Sequence, residues 1–458
     1  MTDSQLKIGV LSRRAPIGQH PEIGATLEHV GGLTRVLPAL AEFADINWTA
    51  VTSQSQLGLP KHYSLAKVSG QDYRNHIEVF LCEVASDELN QSDWFCTHYI
   101  WPLLHDMELP AVELSDLEAS LNSIKSVCNT FAANCIDFGN NGYLVNDFQL
   151  SQVPTYLKNS EPEKPVTFFL HTPWPKLVPN DVIAIKILEF LATGMLSADV
   201  VEFQTQNDLQ AFEEFALAHL TTQTTAGKLK VNPVSVEVQS LQNQMRNHEH
   251  SLELAESDIS YVHVARTDPI KNTLVTIASF TNVVRNSEPS QVRSYLDVYL
   301  VPSRQQWPSY QGLLTEIAEC VNKYNDILSS LSYSPIRIHI GNDYHRASQA
   351  LIRYDYLIAC SVADGLNLVV KEGAILNNRN GVIISTENVG AMAELGKFCV
   401  VAADPTQVCV TQALLDANAL DFESRRKMSV ELKRIVQEFD SSNWARNVVA
   451  NFKVLEKV

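Results

Sequence analysis

The sequence predicts an α/β protein built from two doubly wound, Rossmann-like sheets, and three observations predict it. Short β-branched or aromatic runs alternate with helical patterns through both halves of the chain, the signature of parallel strands covered by helices. The stretch at 261–272, YVHVARTDPIKN, follows a buried-strand pattern with Arg266 and Lys271 five residues apart, a spacing that suits phosphate. Further along, LIACSVADGLNLVVKEGAIL passes from an apolar run through Asp364-Gly365 into a helical pattern that carries Glu372. Strand, glycine turn and helix N-terminus together make an anion site, because free backbone N–H groups and the helix dipole favour a phosphate there.

At 458 residues the chain exceeds what one core ordinarily organises, which predicts two domains of roughly 200 residues each. A hydrophobic share of 45% with 19% charged residues places it among soluble globular enzymes rather than disordered or fibrous chains. The net charge of -17 argues against a nucleic-acid partner, since such a surface repels a phosphate backbone and the longest basic run is only Arg425-Arg426-Lys427. An anionic small substrate remains compatible if a few cations are gathered at one site. Eight scattered cysteines without a CxxC pair read as reduced, mostly buried thiols, which fits a cytoplasmic protein. The opening MTDSQLKIGVLSRR runs into a strand without the basic and apolar regions of an export signal. The longest apolar stretch, VIAIKILEFLATGML from Val182, is broken by Lys186 and Glu189 and is too short to span a bilayer. It reads as an amphipathic or core helix, and no membrane partner is expected.

In the first half the strand patterns fall at 7–11, 46–51, 77–81, 142–145, 166–170 and 200–204. In the second they fall at 260–264, 294–301, 336–340, 356–360, 381–385 and 399–401. The polar stretch 239–258, after the turn-forming Asn232-Pro233, marks the boundary between a first domain at 1–240 and a second at 241–440. His248 and His250 in that stretch lack the accompanying Cys or His pair of a metal site and read as solvated. The final segment, 441–458, starts with capping serines at 441 and 442. Trp444, Val448, Val449, Phe452 and Leu455 then line one helical stripe, which predicts a helix docked on a sheet edge or on the other domain.

Rossmann-like sheets bind ligands at the carboxyl ends of their strands, so the residues just past each strand carry the chemistry. In the first half these are Ser12, Arg13 and Arg14, then Gly31-Gly32-Leu33, then Asn146-Asp147, then His171-Thr172-Pro173-Trp174-Pro175. In the second they are Arg266 with Lys271, and Asp364 through Glu372. Each has a structural alternative. Arg14 is equally a surface charge, Gly31-Gly32 an ordinary turn, Asp147 a helix N-cap, His171 a satisfied structural histidine, and Arg266 and Lys271 members of salt bridges.

Taken in order, these residues resemble glycosyltransferase family 20, the trehalose-6-phosphate synthase family. The shared pattern is Arg14 after the first strand, Gly31-Gly32, Ile100-Trp101-Pro102, V-x-D-[YF]-x-L at Val145 to Leu150, H-x-P-[FW]-P at His171 to Pro175, R-x-D-x-x-K at Arg266 to Lys271, and D-G-x-N-L-x-x-x-E at Asp364 to Glu372. It covers nearly the whole chain. The resemblance implies the GT-B fold, with two Rossmann-like domains facing each other across a cleft and a nucleotide-activated sugar or cyclitol as co-substrate. It implies no further cofactor and no metal, and it is compatible with a homo-oligomer. By this likeness Arg266 and Lys271 bind the donor diphosphate and stabilise its developing charge, Glu372 takes the ribose hydroxyls, and Leu368 and Val369 present backbone N–H groups to phosphate. Gly32, Gly365 and Asn367 belong to the donor site; Asp364 and His171 hold the transferred ring; Arg14, Trp101 and Asp147 face a phosphorylated acceptor, and Asp147 and His171 join Arg266 and Lys271 as catalytic residues. The implied reaction is hexosyl transfer with retention of configuration.

The sequence departs from the family pattern at three places. Ser92 stands nine residues before Trp101 where the family usually has tyrosine, Ala363 stands where arginine is usual, and the donor loop reads RTDPIKN. That loop and the HTPWP form resemble validoxylamine A 7'-phosphate synthase, a family member that joins a cyclitol nucleotide to an aminocyclitol phosphate, whereas DGLNLVVKE is closer to the sugar-transferring members. A pseudo-glycosyltransferase and a non-catalytic sugar-nucleotide sensor are the alternative functions.

Overall fold

The computed structural model describes residues 6–15, 18–19, 26–27, 32–51, 61–65, 73–111, 113–176, 178, 180–220, 223–247, 258–287 and 292–455. Gly31, His248 and His250 lie outside them. The chain divides into two compact units, Met1–Val234 with Ser441–Val458, and Ser235–Asp440.

The first unit is built on an eight-stranded sheet. Its strands are β1 (Lys7–Leu11), β2 (Asp45–Val51), β3 (His62–Leu65), β4 (Ile77–Cys82), β5 (Gly142–Asn146), β6 (Val166–Leu170), β7 (Val200–Phe203) and β8 (Leu229–Val231). In space the order is β8-β7-β6-β5-β1-β2-β4-β3, parallel throughout except that edge strand β3 runs antiparallel to β4. Strands β5 and β6 are buried along their whole length, which is why they read as continuous apolar runs rather than alternating ones. The chain winds outward from β1 to one edge and returns to β5 on the other side of β1. That reversal is a topological switch point, the position at the strands' carboxyl ends where sheets of this kind bind ligands. It lies beyond Leu11 and Val145, which are register partners.

The second unit holds a six-stranded, wholly parallel sheet. Its strands are β9 (Ile259–Arg266), β10 (Ser294–Val301), β11 (Ile336–Ile340), β12 (Tyr356–Ala359), β13 (Val382–Thr386) and β14 (Val400–Ala402), in the order β11-β10-β9-β12-β13-β14. Its switch point is the gap between β9 and β12. These strands pair only at Tyr261 with Tyr356 and Val262 with Leu357, so they part well before β9 ends at Arg266.

The structure adds two sheet strands absent from the sequence reading, β3 and β8. Both are edge strands with half their residues or more exposed or half-exposed, and neither carries a continuous apolar run. A short antiparallel ribbon, Gly18–Gln19 with Thr26–Leu27, was likewise unforeseen. The polar stretch read as a linker begins with a helix, Val238–Asn247, and the chain divides ahead of it at Val234. The apolar stretch from Val182 is the helix Val182–Met195, capped by the Asp181 carboxylate, which accepts from Ala184 N at 2.8 Å. No helix among the described residues is long and apolar enough to cross a membrane. All eight cysteines are unbridged.

The terminal helix, Ser441–Leu455, packs within the first unit. Trp444, Val448, Val449 and Phe452 are buried, and Trp444 lies edge-on to Phe169 of β6 with centroids 5.9 Å apart. Asn451 donates to Glu202 at 2.7 Å and accepts from Lys230 at 2.6 Å, while Asn232 donates to the other Glu202 oxygen at 3.1 Å. Burial pushes the Glu202 pKa up, and these amides oppose the shift. The helix therefore closes the β7–β8 side of the sheet with an apolar stripe and one buried carboxylate hub. Trp444→Ala is expected to destabilise the first unit by about 3 to 5 kcal/mol, the usual cost of emptying a buried aromatic site. A urea titration followed by far-UV circular dichroism checks this; an unchanged midpoint would show that the helix is not part of that core.

Candidate functional site

The second unit gathers its candidate residues at the gap between β9 and β12. Arg266 ends β9 half-buried, and Thr267-Asp268 lead into the short turn Pro269–Lys271. One Asp268 oxygen caps that turn, accepting from Ile270 N at 3.3 Å, and the other accepts from Arg304. Arg304, held in the left-handed region at φ 52°, also donates to the Tyr310 hydroxyl at 3.0 Å. Burial lowers the Arg266 pKa; Asp268 opposes that, Arg304 adds to it, and Asp364 opposes it. A guanidinium remains protonated under such a shift at physiological pH.

Lys271 forms an ion pair with Asp364, which also accepts from the Ser361 hydroxyl at 3.2 Å. Val362 N donates to Ile270 O at 2.8 Å, so the two motifs are fastened by backbone as well as charge. The salt-bridge alternative thus describes Lys271, and its partner is itself a site candidate. From Asp364 the chain runs through buried Gly365 and Leu366 to Asn367, whose left-handed backbone (φ 68°) turns it into the helix Leu368–Leu376. Asparagine tolerates that conformation better than most residues. Leu368 and Val369 occupy the first turn, where N–H groups lack intrahelical acceptors, and half-buried Glu372 follows one turn later.

Two supports escaped the sequence reading. His263 on β9 donates from Nδ1 to Ile358 O of β12 at 2.9 Å, just where the backbone ladder stops, and its Nε2 accepts from Thr273 at 3.1 Å. Burial holds this imidazole near pKa 4, with Ile358 opposing and Lys271 assisting, so it is a neutral strut across the switch point. The second support is the segment after β13. Asn388 O accepts from Asp364 N at 3.0 Å, Gly390 N donates to Asp364 O at 2.9 Å, and Ala391 N donates to Leu366 O at 3.0 Å. Nothing in the sequence marks this segment except a glycine between apolar residues.

In the first unit, Ser12 accepts from the Trp48 indole at 2.8 Å and donates to Arg14 O at 2.6 Å, closing the turn after β1. Arg13 makes a two-pronged pair with Asp93, at 3.1 Å from Nε and 2.5 Å from Nη2, while Arg14 is exposed. Asp93 adjoins buried Ser92 on the helix Ser86–Phe95, so this pair ties the arginine turn to the acceptor segment. A π-helical turn, Cys96–Ile100, leads from that helix to Trp101, which is nearly buried against His105 and Phe148, with centroids 4.1 and 6.1 Å away. Asp147 precedes Phe148 and has the unusual φ of 72°; it occupies an N-cap position without a side-chain capping bond. Gly32 precedes a helix of only four residues, Leu33–Val36, and is itself in ordinary right-handed conformation.

His171 is tightly held. The Asn146 amide donates to Leu11 O at 3.1 Å, which turns its oxygen toward His171 to accept from Nε2 at 3.0 Å. Nδ1 accepts from Gln204 across a long 3.4 Å, and the Gln204 oxygen accepts from Val234 N at 2.9 Å. Its ring stacks on Phe169 at 4.3 Å. Burial pushes its pKa down to about 3, so it is neutral at physiological pH. The structural alternative accounts for both ring nitrogens, and only the long Gln204 contact is weak enough to exchange readily for a ligand hydroxyl. No group of three or more His, Cys, Asp or Glu among the described residues is arranged to hold a metal ion.

Comparison with known proteins places the chain as a whole. The α,α-trehalose-phosphate synthase (UDP-forming) of Botryotinia fuckeliana is 24% identical over 98% of this chain and 87% of its own length. A validamine 7-phosphate valienyltransferase from Streptomyces hygroscopicus subsp. jinggangensis is 27% identical, but over 56% of this chain and 53% of its own, so the chain spans about half of that relative. Among solved structures, the E. coli trehalose-6-phosphate structure bound with UDP-2-fluoro glucose superposes with a TM-score of 0.82 at 18% identity, covering 98% of this chain and 99% of that one. The Burkholderia xenovorans α,α-trehalose-phosphate synthase (UDP-forming), solved with glucose-6-phosphate, gives 0.81 at 18% identity, covering 98% and 100%. At that identity the superpositions show the shared fold, GT-B. The family model for glycosyltransferase family 20 matches residues 9–454, and the chain belongs to that family of glycosyltransferases.

Proposed function

We propose that this enzyme moves a hexosyl unit from a nucleotide sugar, with UDP-glucose the first candidate, to a phosphorylated sugar or polyol, retaining the configuration at the transferred carbon. The observation that carries this reading is the gathering of Arg266 and Lys271 beside the N-terminus of the Leu368–Leu376 helix at the switch point of the second sheet. Two fixed cations and a set of free N–H groups match a diphosphate leaving group, and they stabilise the charge that builds on it as the bond breaks. Glu372, one turn along the helix, accepts from ribose hydroxyls in this reading. Asp364 neutralises Lys271 in the absence of ligand; a diphosphate that takes over the ammonium frees this carboxylate for hydroxyls of the transferred ring. In the first unit, Arg14 supplies an exposed cation for the acceptor phosphate, and Trp101, packed against the Phe148 that follows Asp147, faces the acceptor with Asp147. Neutral His171 offers Nδ1 as an acceptor to a ring hydroxyl. The departing phosphate is the base for the acceptor proton, with attack from the same face.

A second reading has specific support: 27% identity to a valienyltransferase and buried Ser92 where the family usually has a phenol. It makes the enzyme a C–N-forming transferase acting on an aminocyclitol phosphate. Assaying one donor with equal glucose 6-phosphate, glycerol 3-phosphate and an aminocyclitol phosphate separates the two. The missing phenol leaves a glucose 6-phosphate pocket short of a large contact, so that acceptor is expected to be the poorer substrate. A product dominated by trehalose 6-phosphate would refute this, and a C–N-linked product would establish the second reading.

Arg266→Ala and Lys271→Ala are each expected to lower kcat/KM by a hundredfold or more, about 3 kcal/mol of barrier, with the fold intact by circular dichroism. Near-normal rates in both variants would remove them from catalysis. With these cations serving the diphosphate, activity is expected to persist in excess EDTA; collapse in chelator followed by recovery on adding magnesium or manganese would contradict the assignment.

A further inference from the structure

The turn Asp364 to Asn367 has little of its own to hold it, since both of its outer residues are half-exposed and Asn367 makes no side-chain cap. Its backbone is held by the end of β13 and the segment that follows. Thr386 donates to Ser361 O at 2.5 Å and Asn388 to Val362 O at 3.2 Å, fixing the chain just before the turn. The three backbone bonds with Asn388, Gly390 and Ala391 then hold Asp364 at both its N–H and its carbonyl and Leu366 at its carbonyl, and Asp364 and Val389 form an isolated parallel bridge. The approach is so close that a Cβ on Gly390 would lie 1.8 Å from Gly365 O, a backbone atom that cannot give way. At the far end, Lys371, 1% exposed on the helix that the turn opens, forms an ion pair with Glu394 at 2.6 Å. Lys371 adjoins Glu372, so the pair fixes the helix about its axis as well as its distance from the segment.

We propose that this segment is a template for the donor site: Gly390 and the Lys371–Glu394 pair act as positioning residues that set the affinity for the nucleoside diphosphate without touching it. The inference rests on the donor site proposed above. Removing one member of a buried ion pair leaves the other uncompensated, and a side chain at residue 390 displaces the backbone that carries Asp364 and Gly365. Neither change reaches the acceptor residues of the first unit by any contact described above.

Calorimetric titration of the full chain with UDP, GDP and ADP identifies the diphosphate that the wild type binds most tightly, and that diphosphate is then titrated into Gly390→Ala and Glu394→Gln. Thermal midpoints and KM for donor and acceptor are recorded in parallel. Gly390→Ala is expected to weaken binding by about a hundredfold, the scale of an ångström-sized misplacement, with acceptor KM unchanged. Glu394→Gln, which keeps the side chain's shape, is expected to weaken binding by about tenfold in protein that remains folded, and it decides the matter alone if Gly390→Ala does not fold. A lowered midpoint with an unchanged Kd in folded protein would mean a merely structural role and would overturn the inference while leaving the donor site standing. If the wild type binds no nucleoside diphosphate, the donor site and this inference fall together.

Discussion

The ion pair between Lys271 and Asp364 sits where β9 and β12 have stopped pairing, and the second unit's candidate residues are arranged around it. Each side chain is 13% exposed, so both charges have lost most of their water, and their attraction roughly offsets that loss instead of adding much stability. Such a pair is held in place by its surroundings: Ile270 O and Val362 N join the two loops, and Ser361 fixes the Asp364 carboxylate. A site of this kind is suited to exchange. At the donor site proposed for Lys271, a diphosphate brings more negative charge than one carboxylate does, so its arrival replaces the pair at little net cost.

The first unit meets the same problem, a switch point at its strand ends, with neutral groups. Leu11 O, Asn146, His171, Gln204 and Val234 N form one unbroken line of hydrogen bonds across the ends of β1, β5, β6 and β7. Each amide has its orientation fixed by a backbone partner, and that in turn fixes which imidazole nitrogen carries the proton. Phe169 beneath the ring is braced by Trp444 of the terminal helix, so a residue far along the sequence contributes to the rigidity of His171.

Much of this was legible in the sequence, for a physical reason. Interior parallel strands are apolar along their whole length, so the runs around Val10, Phe168, Val298 and Ile383 announced themselves, and the residues beyond them lie at strand ends as Arg266, Asp147 and His171 do. Edge strands β3 and β8 carry mixed, partly exposed residues and gave no such signal. The sequence also showed Lys271 and Asp364 as separate motif residues, but their pairing is a product of the β9–β12 crossover. His263 looked like one more residue of a buried strand, because only the structure shows that the ladder stops beside it. Gly390 and Glu394 belong to no chemical motif at all; their importance is a matter of distance to Gly365 and Lys371. Ser92 was visible as an unusual residue, whereas the Arg13–Asp93 pair beside it was not.

The most direct test of the account is a crystal structure with the bound nucleoside diphosphate. It predicts phosphate oxygens within hydrogen-bond distance of Arg266, of Lys271 Nζ and of the Leu368 or Val369 N–H, with the Lys271–Asp364 pair loosened and the Asp364 backbone still bonded to Asn388 and Gly390. A diphosphate bound elsewhere, with Lys271 and Asp364 still paired as they are now, would contradict it.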